Sequence, residues 1–316
     1  MNLQQLEYII AIDQERHFVR AAENCHITQA TLSMMVKKLE DELNIKIFDR
    51  SQQPVTPTRE GAEVIERAKK IVADVAMLHD YVKELKGGIL GELHIGIIPT
   101  LAPYLLPLFI KPFLEKFPQL KITIKELITD EIIAKLKNGS LDVGLLATPL
   151  NEPLIAEHVL FYEEYYAYAS ASEKLPNKKY LLPKDINPNH LWLLEEGHCM
   201  RNQLVNLCSL KKQEQKNVSF HYEAGSIETL INLVDRDDGI TILPKLTTLK
   251  LSASQKNKLR EFAAPKPVRE ISLVTSKNFP RKKILTHLKN EIIESVKKYI
   301  TTENKGVKVL SLDTED

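Results

Sequence analysis

The chain of 316 residues carries three cysteines, Cys25, Cys199 and Cys208. A thiolate can act as a nucleophile, a metal ligand or a redox centre, so the surroundings of each cysteine decide which chemistry is open to it. Cys199 stands in the run GHCMRNQLVNLC, with His198 before it and Arg201 two positions after it. The apolar spacing that starts at Met200 reads as a helix, which puts Cys199 at a helix N-terminus, where unpaired N–H groups favour an anion. His198 and Arg201 add neighbouring donors, and Gly197 permits a tight turn. These residue types predict a thiol lowered from its ordinary pKa of about 8.5. Plainer readings stand beside this one. Two cysteines without a motif are most often inert, His198 alone is an ordinary histidine, and Cys25 reads as a small buried hydrophobe between two helical stretches. His198, Cys199, Cys208 and His221 could also form a His2Cys2 zinc set, but zinc ligands usually come in close pairs such as C-x2-C, which this spacing lacks. The sequence leads us to expect no metal and no cofactor.

Composition limits what can hold these residues in place. With 43% hydrophobic residues the chain can bury more than one core, and its length points to two or three domains. No run approaches the roughly 20 apolar residues of a membrane span. Asp13, Glu15 and Arg16 interrupt the first twenty residues, so no cleaved leader is expected. Three cysteines are too few, and odd in number, for a secreted disulfide scaffold, which favours a cytoplasmic setting. The net charge is +1, and the first sixty residues hold seven Lys and Arg against nine Asp and Glu. Any nucleic-acid binding there must come from charge sorted onto one face.

Periodicity supplies the elements. Helical spacing marks residues 3–12 and 18–25, and Thr28 caps a third helix over 29–43 with the stripe Leu32, Met35, Val36, Leu39 and Leu43. The tight 26–28 connection suits a helix-turn-helix. Residues 45–61 hold two β-prone runs around a polar turn, with Pro54 and Pro57 limiting any helix, and read as a wing. Residues 58–86 form a long helical pattern with a near-heptad rhythm, able to pair with its twin, and Gly87-Gly88 reads as a linker. Beyond it, strands at 93–98, 121–128, 143–147, 191–194, 218–223, 240–243 and 271–275 alternate with helices at 104–117, 130–138, 200–210, 227–236 and 282–300. That alternation predicts an α/β fold with parallel sheets. Residues 301–316 show no periodicity and read as a mobile tail.

The stretch AAENCHITQATLSMMVKKLEDELNIKIFDR, followed by TPTREG, closely resembles the LysR family of bacterial transcriptional regulators, and the order of elements carries the resemblance over nearly the whole chain. It implies an N-terminal all-α winged helix-turn-helix for DNA binding (1–60), a linker and dimerisation helix (58–87), and a C-terminal α/β two-lobed, periplasmic-binding-protein-like effector domain. One lobe would span 88–163 and 268–300, and the other 164–267, with 301–316 as the tail. The resemblance also implies a regulator rather than an enzyme. It would bind double-stranded promoter DNA, associate with itself as dimer and tetramer, contact RNA polymerase and avoid the membrane. Gln29, Ala30, Thr31 and Ser33 would read base edges, and Lys37 and Arg50 would hold phosphates.

Within the family, LEEGHCMRNQLVNLC at 194–208 is similar to the redox segment of the peroxide-sensing members. IPTLAPYLLP around Thr100, together with Thr129, Asp142, His221 and SIETLINLV at 226–234, extends the match. This implies that Cys199 reacts with peroxide and Cys208 resolves the product as a disulfide, supported by His198, Thr100, Thr129, Arg201 and His221. A reductant such as glutaredoxin would reverse it, and the output would be activation of oxidative-stress genes. If both cysteines share one helix, nine residues at about 1.5 Å rise part their Cα atoms by roughly 13 Å. A disulfide needs them within about 7 Å, so the helix would have to unravel. Thr100 and Thr129, each before a helical stretch, could equally be N-caps. A regulator answering a small metabolite between the lobes, with incidental cysteines, is the alternative. A thiol peroxidase or disulfide enzyme is disfavoured by the first sixty residues and by the lack of C-x-x-C.

Overall fold

Helix α1 (Leu3–Glu15) opens the computed structural model, which describes residues 1–85, 88–208, 224–236, 239–300 and 307–312. The side chain of Asn2 accepts from the Gln5 N–H while the Gln5 side chain accepts from the Asn2 N–H, so the first turn starts with its donors satisfied. Helix α2 (Phe18–Asn24) and helix α3 (Gln29–Leu43) follow, with His26 in the left-handed region between them and the Thr28 hydroxyl capping α3. Ile9, Ile12, Ala21, Leu32, Val36 and Leu39 close the core of this bundle. The expected wing is a short antiparallel hairpin, β1 (Phe48–Asp49) with β2 (Thr56–Pro57).

Buried Glu40 of α3 holds the hairpin in place by accepting from the backbone N–H groups of Ile47 (2.8 Å) and Phe48 (3.3 Å). Helix α4 (Arg59–Leu85) then runs for 27 residues, about 40 Å at 1.5 Å per residue. Its first turn docks under the wing. A Cβ at Gly61 would stand 1.9 Å from the Ile47 carbonyl oxygen, so only glycine fits. Further along, Ile71, Leu78, Val82 and Leu85 are exposed.

The chain divides into two units, Met1–Gly88 with Lys137–Ser140, and Ile89–Leu136 with Leu141–Asp316. The second unit is α/β. Strand β3 (Gly91–Ile97) leads into helix α5 (Ala102–Lys116), strand β4 (Leu120–Glu126), helix α6 (Thr129–Lys137) and strand β5 (Val143–Thr148), all of whose residues are buried. Next come the long strand β6 (Ile155–Ala169) and short β7 (Tyr180–Leu181). Helices α7 (Cys199–Leu207) and α8 (Ile227–Arg236) precede β8 (Ile240–Pro244). The short helices α9 (Lys245–Thr248) and α10 (Ala253–Lys256) lead to β9 (Leu259–Phe262) and β10 (Lys266–Ser276). Helix α11 (Lys282–Val296) and β11 (Val307–Val309) end the described chain.

The sheet runs β4-β3-β5-β10-β6-β9-β7, with β8 on β6 and β11 on β10. Strands β6 and β10 pair antiparallel from Val268–Glu164 to Ser276–Ile155 and carry the chain between two lobes, one built on β3, β4 and β5 and the other on β7, β8 and β9.

Several expectations need correction. The sheet is mixed rather than parallel: β3 pairs parallel with β4 and β5, but β10 runs antiparallel to β5 and β6. Residues 191–194 form only isolated bridges, Leu191 to Ile240 and Leu194 to Ala224. The strand expected at 218–223 lies outside the described residues. The tail is not wholly mobile, because Val307–Val309 joins the sheet beside β10 and Leu310 is buried. Among the described residues no helix is long and apolar enough to cross a membrane.

Candidate functional site

Cys199 begins α7, as the spacing predicts, and its side chain is buried. Gly197, at φ +92°, makes the turn that delivers it, in a conformation that side chains other than glycine rarely adopt. The electrostatics differ from the expectation. Burial raises the Cys199 thiol above its ordinary range, and the Arg269 guanidinium, the Thr129 side chain and the backbone amides of Met200 and Ala147 offset this only in part. The resting group is a thiol placed among donors that favour its thiolate.

The predicted helpers take other places. Arg201 Nη1 donates to the Leu194 carbonyl at 2.8 Å and so pins the loop that leads into α7. His198 is buried, with Nε2 3.6 Å from Glu195 Oε1, and makes no side-chain cap. The cation acting on Cys199 is Arg269 of β10, a residue the sequence reading missed. Its fully buried side chain bonds Glu163 of β6, Nε donating to Oε2 at 2.8 Å, with a second contact from Nη2 to the same oxygen at 2.8 Å. Burial alone would weaken the Arg269 charge, but the Glu163 carboxylate beside it more than restores it. Glu163 Oε1 in turn accepts from the Leu246 N–H at 2.7 Å.

Thr100 and Thr129 converge on this centre from two further elements. Arg269 Nη1 donates to Thr100 Oγ1 at 3.0 Å and Nη2 to the Thr100 carbonyl at 3.2 Å. Thr100 is thus an acceptor for the arginine and not a cap; Leu101 holds the α5 cap position without a side-chain bond. The buried Thr129 hydroxyl lies near enough to Cys199 to favour its thiolate, yet among the described residues it makes no well-directed hydrogen bond. A buried hydroxyl without a partner beside a thiol is a ready contact for a small polar molecule. Tyr165 of β6 completes the setting, its hydroxyl donating to Gln203 Oε1 of α7 at 2.7 Å.

Cys208 is not beside Cys199. It forms the C-terminal cap of α7, half-buried, with its N–H donating to the Leu204 carbonyl at 3.0 Å, and burial pushes its thiol up to about 12. Both cysteines are free thiols at opposite ends of a nine-residue helix, roughly 13 Å apart along its axis. His221 lies outside the described residues. Cys25 caps α2, raised by burial and then by the charge of Glu7, in keeping with an inert thiol. Among the described residues no group of His, Cys, Asp and Glu could hold a metal ion.

On α3, Gln29, Ala30 and Lys37 are exposed. Thr31 is exposed too, but its hydroxyl lies 2.9 Å from that of Thr28, within the cap. Ser33 accepts from Arg50 Nη1 at 3.2 Å, while Arg50 Nη2 donates to Glu40 at 3.1 Å and the guanidinium lies over the Phe18 ring at 4.9 Å. Arg50 is therefore first a bridge between wing and helix, its charge already facing a carboxylate.

Comparison with known proteins adds the following. The family described as "Bacterial regulatory helix-turn-helix protein, lysR family" matches residues 3–62, and the "LysR substrate binding domain" matches residues 86–297. The chain is similar to the "Hydrogen peroxide-inducible genes activator" of Pectobacterium carotovorum subsp. carotovorum, 33% identical over 96% of this chain and 100% of that protein. It is also similar to the "DNA-binding transcriptional dual regulator OxyR" of Escherichia coli, at 34% over 87% of this chain and 89% of that one. The solved structure of a cysteine-to-aspartate variant of full-length OxyR from Pseudomonas aeruginosa, 32% identical, superposes with a TM-score of 0.77 over 96% of this chain and 99% of that one.

Proposed function

The chain belongs to the LysR family of bacterial transcriptional regulators, and on that premise we propose that it is an activator responding to hydrogen peroxide, with Cys199 as the atom that receives the signal. The observation that carries this is the setting of Cys199: a buried thiol at a helix N-terminus, with the Arg269 charge and the Thr129 hydroxyl both favouring its thiolate. Peroxide reaching the thiol would be oriented by Thr129 and by Thr100, whose hydroxyl already accepts from Arg269. As the Cys199 sulfur attacks one oxygen, the O–O bond breaks, and the departing hydroxide takes up the thiol proton as water. Donors fixed before the reaction stabilise both the developing thiolate and the leaving oxygen. The product is a sulfenic acid.

Cys208 then resolves it. Its sulfur attacks the sulfenic sulfur, the S–O bond breaks, water leaves and a disulfide forms. Two thiols at the ends of one nine-residue helix can meet only if α7 unwinds. That rearrangement is the link from chemistry to output. The cycle stops at the disulfide until a thiol reductant such as a glutaredoxin reopens it, which makes the chain a switch and not a turnover enzyme. Of the exposed residues of α3, Gln29 and Ala30 read base edges in the major groove of promoter DNA and Lys37 holds a phosphate, the stripe of α4 joins two copies that pair further into a tetramer, and the activated form engages RNA polymerase in the cytoplasm.

Thiol mapping by mass spectrometry tests this reading. A near-stoichiometric pulse of hydrogen peroxide should give a linked Cys199–Cys208 peptide with Cys25 still free, and Cys199→Ser should abolish the response. Three free thiols after the pulse would instead favour a family member answering a metabolite between its lobes.

A further inference from the structure

Gln203 lies within α7, between the two cysteines, and is fully buried. Its amide is engaged at both ends. Oε1 accepts from the Tyr165 hydroxyl at 2.7 Å, and Nε2 donates to the Leu310 carbonyl at 3.1 Å. Leu310 follows β11, and its own N–H donates to the Val268 carbonyl at 2.9 Å, extending the pairing in which Lys266, Pro267 and Val268 face Val307, Lys308 and Val309. Asn202 adds a longer bond, Nδ2 to the Leu312 carbonyl at 3.4 Å. One buried amide thus joins α7 to β6 on one side and to the residue after β11 on the other.

A helix of nine residues does not hold itself together in water, so α7 owes its persistence to such contacts. If it unwinds, the Tyr165 hydroxyl and the Leu310 carbonyl lose a buried partner, and unsatisfied buried groups are costly.

We propose that Gln203 and β11 form a latch on α7, with Gln203 as the positioning residue that governs how readily Cys208 reaches oxidised Cys199. This rests on the reading of Cys199 as the peroxide-reactive thiol and Cys208 as its partner. The first step, Cys199–SH with hydrogen peroxide giving Cys199–SOH and water, requires no movement of α7. The second step, Cys199–SOH with Cys208–SH giving the disulfide and water, requires the helix to open. Over both steps two thiols give two electrons to one peroxide. The latch acts on the second step and on the stability of the reduced form, and leaves the first untouched.

The test compares the full-length protein with Gln203→Met, with a deletion of residues 307–316, and with the two combined, using hydrogen peroxide as the probe and rapid alkylation followed by mass spectrometry as the readout. Loss of the Cys199 thiol should proceed within about twofold of the unaltered protein in every form. Disulfide closure should be about fivefold faster in either variant and, in the combination, faster by less than the product of the two, because both remove the bond from Gln203 to the Leu310 carbonyl while each also removes a contact of its own. Against a glutathione buffer the equilibrium should shift about tenfold toward the disulfide, a potential about 30 mV more reducing, since the reduced form loses its latch. Closure rates and equilibria within about twofold of the unaltered protein overturn the latch, as does slower closure. Gln203→Met keeps β11 and its pairing with β10, and so serves alone if the deletion does not fold. A merely structural role would not spare the first step while changing the second. Lack of any Cys199–Cys208 disulfide in the unaltered protein overturns the underlying reading instead, so the two failures are distinct.

Discussion

At the scale of single residues, Cys199 is held by opposing forces: burial favours the neutral thiol, while Arg269, Thr129 and two backbone amides favour the charged one, and burial prevails. The sign of the pH response follows. Because the folded thiol titrates above its ordinary value, little thiolate is present at neutral pH, and the rate of Cys199 oxidation should rise about tenfold per pH unit from pH 6 upward with no plateau near 7. Stopped-flow oxidation from pH 6 to 9 checks this, and a flat profile would show a thiol already ionised. Arg269→Met should leave Glu163 buried without its cation, lowering stability by about 3–5 kcal/mol and slowing peroxide attack together. Urea unfolding and oxidation rates would reveal it; a loss below about 1 kcal/mol would mean that Glu163 finds other support. The helix start at Cys199 was legible because apolar spacing begins at Met200. Arg269 was not, since a charge within an apolar strand announces no partner, and its match, Glu163, lies in a run too rich in Glu and Tyr to read as a buried strand. His198 and Arg201 drew attention by adjacency, but along a chain adjacency does not fix where a side chain points.

At the scale of elements, the first unit was the more legible, because three short amphipathic helices and their caps follow from local spacing and Thr28. The wing depends on something less visible, the contact of Gly61 with the Ile47 backbone beside the hydrogen bonds from Ile47 and Phe48 to Glu40. Gly61→Ala should therefore displace the wing from the start of α4 and destabilise the first unit by about 1–3 kcal/mol or more, with the melting of the second unit unchanged. Differential scanning calorimetry with promoter-binding titrations would show this, and an unchanged first transition would refute it. The second unit was harder to read. Alternation of helix and strand gave the class, but not the antiparallel pairings of β6 and β10, which depend on contacts far apart in sequence. A three-residue strand such as β11 has too little pattern of its own; only β10 beside it gives it form.

At the scale of the whole molecule, α4 exposes Ile71, Leu78, Val82 and Leu85 along a helix of 27 residues. Such apolar exposure suits a seam between copies. Replacing Leu78 and Val82 by Glu should shift the protein from dimers or larger assemblies to monomers in sedimentation velocity, without altering Cys199 oxidation; retained assembly would place the interface elsewhere. The separation of the two cysteines along α7 has a consequence for how a cell keeps time. In the cycle proposed above, oxidation of Cys199 leaves α7 in place, whereas closing and reopening a bond to Cys208 would each require the helix to be taken apart or rebuilt. The covalent state would then outlive the burst of oxidant that wrote it, and the molecule would report recent exposure as a stored record, erased at a pace set by the supply of reductant.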